Sequence, residues 1–391
     1  MHAFLFSAII GRMNKVNHKG LRTWIEVDRK AIRHNFELFR RFIGKKTKLL
    51  AVVKSNAYGH GLIDFSREID GLGADFLGVD SIVEGLALRR AGIAAPILVL
   101  GYTLPELIPV AAENNIAITV STYESFNDIK RAKLTKAVTI HIKVDTGMHR
   151  QGFVEEEIKK VVGLAAAEDK KFIVEGLFTH FAAAKNPDLT TATRNQIAVF
   201  RKWLDAFKRM KIKVIAHAAA SGGAMIYPDS HFDMVRIGVA LYGLWPSSET
   251  EAYFRNRIKL IPALTWKTII TEIKRFPKGS RFGYDLTGIV ARDSVTAICP
   301  VGYWHGYSRA LSGIGTVLVN GHEARILGKV SMDILIIDVT DVPRPKVGDE
   351  VVLIGRSGKK EISAEYLAGI QDAWWYEFID RINPLIKRIY K

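Results

Sequence analysis

The chain has 391 residues, of which 48% are hydrophobic and 25% charged, so it has enough material for two ordinary globular domains. It contains no apolar run of the ~20 residues that a membrane-spanning helix needs, and its single cysteine, Cys299, excludes an intrachain disulfide. The formal net charge of +16 could attract nucleic acid, but no zinc-finger spacing or RNA-binding motif accompanies it. We therefore expect a cytoplasmic globular protein with no metal site and with no nucleic-acid or membrane partner.

The N-terminal segment does not have the features of a secretory signal. The stretch Ala3–Ile10 is apolar, but no basic segment precedes it and no small-residue cleavage site is evident. Because Met13 could be a later start, residues 1–20 are expected to be a short dispensable extension. A strand is predicted after it, at about residues 21–27.

A helix is predicted next. Asp28 can cap its first turn, and Gly44 can end it. Its expected buried stripe consists of Ile32, Phe36, Phe39 and Ile43.

Eight short apolar runs then alternate with segments of helical spacing, such as Ser81–Gly92 and Tyr123–Lys133. Alternation of this kind implies parallel strands, and eight strand–helix units favour a closed barrel over an open sheet. We therefore predict an α/β fold with a TIM-like (α/β)8 barrel over residues 28–255. The eight runs are Leu49–Val53, Phe76–Val79, Ile97–Leu100, Ala117–Val120, Val138–Val144, Val174–Thr179, Val214–Ala216 and Met234–Val239.

The sequence pattern changes after about residue 255. Strand-like runs now follow one another without helices, and Gly and Pro separate them. This pattern predicts a mainly antiparallel β domain over residues 256–391, joined by the N-terminal strand. The runs are Leu264–Ile273, Ser294–Val301, Thr316–Val319, Ile334–Val339 and Glu350–Ile354.

Barrel enzymes place their active sites at the carboxyl ends of the strands. Lys54 ends the first predicted strand, His180 ends the sixth, and Arg236 lies on the eighth, followed by Gly238. The loop after the seventh strand opens with Ser221, whose hydroxyl could bind phosphate together with backbone N–H groups. A lysine opposite a phosphate site suggests pyridoxal phosphate (PLP). An ion-paired lysine beside an ordinary glycine turn remains the alternative.

Several motifs resemble those of alanine racemases, which are PLP-dependent amino-acid racemases of fold type III. The resemblance begins at about Arg22 and covers nearly the whole remaining chain. The motifs are Ala51-Val-Val-Lys-Ser-Asn-Ala-Tyr-Gly-His-Gly61, Lys143-Val-Asp-Thr-Gly-Met-His-Arg150, Phe178-Thr-His-Phe-Ala182, Val235-Arg-Ile-Gly-Val-Ala-Leu-Tyr-Gly243, Gly283-Tyr284, Val330-Ser-Met-Asp333 and Tyr376-Glu377.

The resemblance implies two catalytic residues. Lys54 would carry PLP and act as a base on one face of the substrate, and Tyr284 of the partner subunit would act on the opposite face. Because each site would then need two chains, the resemblance also implies a homodimer with shared active sites.

It implies further roles for residues around the cofactor and substrate. Arg236 would hydrogen-bond the pyridine nitrogen with His180 nearby, and Arg150 would lie near the substrate carboxylate. Lys143 would be a carbamate that orients Arg150, because two cations so close would otherwise repel each other. Phosphate contacts would come from Tyr58, Ser221, Gly238 and Tyr376 with backbone near Ile237, and Met332 and Asp333 would shape the substrate pocket.

The chain also departs from the family pattern. Ala220 stands where the family usually has Asn, Trp304 and His305 replace a small residue and an acid, Asp285 replaces a frequent glycine, and Lys185 replaces a common acid. These changes could alter the pocket walls and the entrance electrostatics. They leave the preferred substrate less certain than the chemistry.

The expected function is racemisation of L-alanine to D-alanine for cell-wall peptidoglycan. A racemase for serine, lysine or a broader set of amino acids remains open. A PLP-dependent decarboxylase of the same architecture is a rival, although such enzymes pair the pyridine nitrogen with an acid and use a C-terminal cysteine that this chain lacks. A non-catalytic PLP carrier would not need the β domain, and a nucleic-acid-binding role would depend on the net charge alone.

Overall fold

The computed structural model describes residues 18–167 and 170–391. Most of the predicted N-terminal extension, including Ala3–Ile10 and Met13, lies outside these residues. The chain forms two compact units: one is Lys30–Pro262, and the other combines Ala263–Lys391 with the described residues up to Arg29. In this described part of the chain, no helix is both long and apolar enough to cross a bilayer.

Strand β1 (Thr23–Val27) and helix α1 (Arg29–Ile43) come first. The predicted stripe of α1 is confirmed, because Ile32, Phe36, Phe39 and Ile43 are all buried. Gly44 follows the helix with a φ of 74°, a left-handed angle that glycine adopts without strain.

The barrel strands all run parallel, and each pairs with the next along the chain. Pairing of the first strand with the last closes the ring. The closed eight-stranded barrel predicted from the sequence is therefore confirmed. The strands are β2 (Lys48–Val52), β3 (Phe76–Val79), β4 (Ile97–Val99), β5 (Ile116–Val120), β6 (Val138–Lys143), β7 (Phe172–Phe178), β8 (Ile215–Ala220) and β9 (Met234–Ile237).

Helices connect the barrel strands, and side-chain caps start several of them. The Ser81 side chain accepts a hydrogen bond from the backbone N–H of Glu84, and Thr122 accepts one from Ser125, as expected for helix N-caps. The helices between the strands are α2 (Leu62–Gly71), α3 (Ile82–Arg90), α4 (Ile108–Glu113), α5 (Tyr123–Arg131), α6 (Ile158–Ala166), α7 (Thr190–Arg209) and α8 (Ser221–Ile226), and α9 (Ser248–Phe254) follows the last strand. The segment that begins at Ser221, predicted as a loop after the seventh strand, is thus the first turn of α8.

Side chains from several strands form an apolar cluster in the barrel unit. This close packing gives the strand ends a rigid base. The buried members are Leu50, Val52, Phe76, Leu98, Ala117 and Met234, and Tyr58, Leu100 and Ile215 pack against them.

The other unit is built on a ten-stranded sheet. Its strand order is β11-β14-β17-β16-β15-β18-β10-β1-β20, with β19 paired to β18; all pairs are antiparallel except β1 with β20. This confirms the mainly antiparallel prediction. The strands are β10 (Leu264–Ile269), β11 (Glu272–Phe276), β12 (Arg281–Phe282), β13 (Gly288–Ile289), β14 (Ser294–Cys299), β15 (Thr316–Val319), β16 (His322–Ile326), β17 (Leu335–Asp338), β18 (Glu350–Ser357), β19 (Lys360–Ile362) and β20 (Arg388–Tyr390); β12 and β13 pair separately, and α10 (Ala364–Gly369) and α11 (Trp375–Asp380) lie before β20.

Candidate active site

Lys54 lies at the carboxyl end of β2, where the sequence predicts it, and begins a strained turn. The next four residues, Ser55–Tyr58, have φ values of 56°, 55°, 51° and 48°. Left-handed angles cost roughly 1–2 kcal/mol for each residue that carries a side chain. The Asn56 carboxamide oxygen stabilises the turn by accepting a hydrogen bond from the backbone N–H of Leu62, at 3.0 Å. Strain of this kind persists where the surrounding structure fixes it, and it is concentrated at functional sites.

The Lys54 amine has an acidic neighbour. Its Nζ donates a hydrogen bond to Oδ1 of Asp80 at 3.1 Å. Glu84 ties the two segments together, because its carboxylate accepts from the backbone N–H groups of both Ser55 and Asp80. The lysine is therefore held over the ends of two adjacent barrel strands, β2 and β3.

Two hydroxyl groups and a backbone amide meet beside Gly238. The Gly238 N–H donates to Oγ of Ser221 at 3.1 Å, and a Cβ at Gly238 would lie 3.0 Å from the Tyr58 hydroxyl oxygen. The Tyr58 ring packs on Tyr242, with their centroids 4.8 Å apart. Hydroxyls and backbone N–H groups close to a glycine suit an anion with several oxygens, such as phosphate.

Arg236 is among the most deeply buried of the predicted site residues and is only 4% exposed. One terminal nitrogen shares its two hydrogens among three acceptors, the carbonyl oxygens of Thr179 and Ala218, both at 2.8 Å, and Nδ1 of His180 at 3.1 Å. The other donates to Nδ1 of His217 at 3.1 Å. These contacts fix the plane of the guanidinium at the carboxyl end of the barrel.

The charges around Arg236 determine the protonation of its neighbours. Burial, followed by repulsion from Arg150, lowers the pKa of Arg236 to about 9, so it remains a cation at neutral pH. Burial and then the charge of Arg236 lower the pKa of His180 to about 3. His180 is therefore neutral, and its Nδ1 is free to accept the hydrogen bond from Arg236.

Lys143 and Arg150 line one small cavity together with His180 and Gln151. Nζ of Lys143 donates to the carboxamide oxygen of Gln151 at 2.8 Å, and the Gln151 amide donates to Oγ of Ser121. Burial, then the charge of Arg150, lowers the pKa of Lys143 to about 8.

The loop that carries Arg150 is organised by Asp145. One carboxylate oxygen accepts from the backbone N–H groups of Gly147, Met148 and His149, and the other accepts from that of Arg150. Burial alone would raise the pKa of Asp145, but these four hydrogen bonds outweigh it and lower the pKa. A single ionised side chain thus holds the loop in place.

The remaining predicted site residues belong to the β unit. Tyr284 is 68% exposed and follows Gly283, which has a φ of 73°. Met332 is also exposed, and Asp333 lies 3.8 Å from the His305 imidazole. Tyr376 is half-buried in α11.

Sequence reasoning missed five residues that the structure places at or behind the barrel site. Their sequence context gives little indication of a functional role. Two are histidines within buried strands, and one is a glutamate within a mostly apolar strand. The other two follow a strand and a turn that contains Gly147. These residues are Asp80, His141, Gln151, Glu175 and His217.

Two family models match the chain. The model of the alanine racemase N-terminal domain matches residues 27–246, and that of the alanine racemase C-terminal domain matches residues 263–390. Alanine racemase of Methanococcus maripaludis is 39% identical and covers 94% of this chain and 98% of its own length. Alanine racemase of Symbiobacterium thermophilum is 40% identical and covers 95% of this chain and 98% of its own length.

Solved structures of the same kind superimpose on the whole fold. Alanine racemase from Clostridium difficile 630 gives a TM-score of 0.89 at 30% identity, covering 95% of this chain and 96% of that one. Alanine racemase from Bacillus anthracis, solved with bound L-Ala-P, also gives 0.89, at 36% identity and 95% coverage of both chains.

Proposed function

The chain belongs to the alanine racemase family, and on that premise we propose that it is a PLP-dependent enzyme that interconverts L- and D-alanine. The observation that carries the proposal is the arrangement at the carboxyl end of the barrel. There, the barrel unit presents a lysine at a strand end and a buried arginine. It also brings together two hydroxyl groups and a backbone N–H group that suit a phosphate.

The barrel residues fit the three recognition groups of pyridoxal phosphate. The hydroxyls of Tyr58 and Ser221 and the region of Ile237 and Gly238 suit the phosphate, with Tyr376 as a further proposed contact. Arg236 offers N–H donors for the ring nitrogen, with His180 beside it, and Lys54 offers an amine for the aldehyde. When bound, the cofactor withdraws electrons from the substrate Cα and so makes its proton removable.

Racemisation requires proton transfer on both faces of Cα, because a single base returns the proton to the side from which it came. We assign Lys54 Nζ to one face and the phenol oxygen of the partner subunit's Tyr284 to the other. The exposure of Tyr284 supports this assignment, because its side chain is available to a second chain.

Arg236 limits the chemistry to racemisation. A guanidinium donates hydrogen bonds but does not readily give up its proton, so a pyridine nitrogen held by Arg236 would stay unprotonated. A carboxylic acid at this position would protonate the nitrogen and favour transamination. The four hydrogen bonds that Arg236 makes to Thr179, Ala218, His180 and His217 keep it in this donor role.

Arg150 is proposed to bind the substrate carboxylate from a loop held by Asp145.

We propose that Lys143 reacts with carbon dioxide to form a carbamate. The reaction needs a neutral amine, and with a pKa of about 8 roughly 10% of Lys143 is neutral at pH 7. The carbamate would turn a repulsive Lys143–Arg150 pair into an attractive one.

A homodimer is proposed because the β unit exposes apolar side chains on loops that touch one another. The backbone N–H of Trp304 donates to the carbonyl oxygen of Met332, and the backbone at Gly283 lies against that of Lys329. The exposed apolar side chains on these loops are Tyr284, Leu286, Tyr303, Trp304, Met332 and Ile334. A patch of this kind is typical of a protein–protein interface, and we propose that Met332 and Asp333 line the partner's substrate pocket.

We further propose that the product D-alanine supplies cell-wall peptidoglycan and that the enzyme works in the cytoplasm, where its one buried cysteine, Cys299, would stay reduced.

The proposed function is tested by purifying the protein, recording its visible absorbance, and analysing chirality after incubation with single L-amino acids. A yellow protein that converts L-alanine fastest supports it. A protein without pyridoxal absorbance, or one that leaves L-alanine unchanged, contradicts it.

A further inference from the structure

A row of hydrogen bonds leads from Arg236 across the barrel to a glutamate on β7. Arg236 contacts Nδ1 of His217 at 3.1 Å, Nε2 of His217 contacts Nδ1 of His141 at 2.9 Å, and Nε2 of His141 contacts Oε2 of Glu175 at 3.0 Å. Both histidines are completely buried, and Glu175 is 35% exposed.

The two ends of the row fix the position of every proton in it. An arginine can only donate, so Nδ1 of His217 must be without a proton and its Nε2 must carry one. That proton points at Nδ1 of His141, which must therefore accept, so the proton of His141 is also on Nε2 and points at the Glu175 carboxylate. A charged histidine anywhere in the row would place two donors face to face.

The strands are shaped to hold this row. The pairing of β6 with β7 shifts between Ile140 and His141, so that Glu175 is an extra residue between Val174 and Gly176. A Cβ at Gly176 would lie 2.1 Å from Nδ1 of His141, so only glycine leaves room for that ring. The second imidazole of the row, that of His217, is held by the Phe178 ring, which stacks on it with the ring centroids 4.7 Å apart.

The row also provides a distant negative charge for the buried Arg236 guanidinium. Within residues 18–167 and 170–391, no carboxylate lies within ion-pair distance of Arg236, although buried charges are normally paired. The carboxylate of Glu175 is connected to the arginine only through the two imidazoles. Hydrogen bonds that all point the same way polarise one another, so this anion can stabilise the guanidinium at a distance.

We propose that Glu175 is a positioning residue that acts through His141 and His217 to hold Arg236 as a charged hydrogen-bond donor toward the cofactor. The last part of this inference rests on the proposed function. The polarity of the row does not depend on it and can be measured separately.

The polarity is tested by NMR of the full-length protein as purified, with ¹⁵N-labelled histidine. Signals are assigned by their loss in the His141→Gln and His217→Gln variants. We expect both imidazoles to be neutral and protonated on Nε2. A proton on Nδ1 of either ring, or an imidazolium at neutral pH, would overturn the inference whether or not the protein is a racemase.

The positioning role is tested with Glu175→Gln, which keeps an acceptor for His141 but removes the charge. Glu155→Gln is the matched control, since Glu155 is similarly exposed at 38% and pairs with Lys202 on the same unit. With an unchanged unfolding midpoint, Glu175→Gln should lower kcat on the order of 10-fold with little change in KM and shift the cofactor absorbance. The Glu155 variant should match wild type.

Wild-type kcat and spectrum in Glu175→Gln would overturn the positioning role even if NMR confirms the row. Failure of wild type to racemise any amino acid would instead contradict the proposed function. The two failures are therefore distinguishable.

Discussion

Oδ1 of Asp80 lies 3.1 Å from Nζ of Lys54, the amine that the proposed function assigns to the cofactor. Both side chains are partly exposed, so the pair is accessible to water and salt. The same amine cannot keep this contact unchanged while it bonds to a carbonyl group. If Lys54 carries the cofactor as proposed, Asp80 should therefore compete with cofactor attachment.

Replacement of Asp80 by Asn should speed cofactor attachment. Exposed ion pairs contribute about 0.2–1 kcal/mol, so we expect up to about a fivefold faster reconstitution of cofactor-free protein at low salt. The rate is followed by absorbance after mixing with pyridoxal phosphate. The difference should shrink at high salt because the pair is screened.

Asp64→Asn serves as the control, because Asp64 forms an exposed pair with Arg67 away from Lys54. Equal rates for Asp80→Asn and wild type at low salt would show that the Lys54–Asp80 contact does not compete.

A methyl group at Gly238 should weaken cofactor binding. The Cβ would lie 3.0 Å from the Tyr58 hydroxyl, in the space proposed for the phosphate. Overpacking of this kind costs roughly 1–3 kcal/mol, so Gly238→Ala should raise the Kd for pyridoxal phosphate roughly 10-fold or more.

Equilibrium titration by fluorescence or absorbance measures that Kd. The control is Gly163→Ala, because a Cβ there would enter open space on α6. If both variants bind the cofactor as wild type does, the phosphate site is elsewhere.

Lys143 should carry a carbamate in a pH range set by its lowered pKa. With a value of about 8, its neutral amine becomes abundant well below the ~10.4 of an ordinary lysine. Carbon-13 NMR of protein equilibrated with ¹³C-bicarbonate at pH 8 should show one carbamate signal that is lost in Lys143→Gln. A spectrum without that signal would indicate a free lysine held by Gln151.

The same lowered pKa predicts how stability changes with pH. Because the folded value of Lys143 lies below the unfolded one, protonation of this lysine opposes folding. The penalty is full below about pH 8 and disappears as the pH rises toward 10.4. In buffer kept free of carbon dioxide and bicarbonate, so that the amine stays unmodified, Lys143→Gln should therefore be more stable than wild type below pH 8 and similar to it near pH 10, as measured by urea unfolding.

Asp145→Asn should destabilise the loop that carries Arg150. The new amide group would place a donor against the backbone N–H of Arg150, which now lies 2.9 Å from a carboxylate oxygen. We expect a loss of about 1–3 kcal/mol in the free energy of unfolding and a higher KM. Exposed Asp188 supplies the control, because its change to Asn should alter stability by less than about 0.5 kcal/mol. A stable Asp145→Asn variant with normal KM would contradict this role.

Local patterns were enough to predict the barrel. The run Phe76–Val79 was predicted with the bounds that the structure shows. The other barrel runs differ from the observed strands by at most two residues at each end, except Val214–Ala216, which ends four residues before β8 does. The run Leu264–Ile273 was wrong as one strand. It divides because β10 pairs with β1 and β18, whereas β11 turns away to pair with β14, and such pairing is not visible in a local window.

The site was predictable only where a residue could be recognised by its motif or its place at a strand end. Lys54 and Arg236 met that condition. The row that reaches Glu175 did not, because it depends on a shift in strand pairing and on the missing side chain of Gly176. The contact of Gln151 with Lys143 depends in the same way on side-chain reach across a loop.

The central claim is that each active site takes Lys54 from one chain and Tyr284 from the other. Two inactive variants, Lys54→Ala and Tyr284→Phe, can be unfolded together and refolded as mixed dimers. Random mixing makes about half of the dimers hybrid, and each hybrid would contain one complete site, so about a quarter of wild-type racemase activity should return. If Lys54 and Tyr284 acted within the same chain, no dimer would contain a complete site and the mixture would stay as inactive as its components.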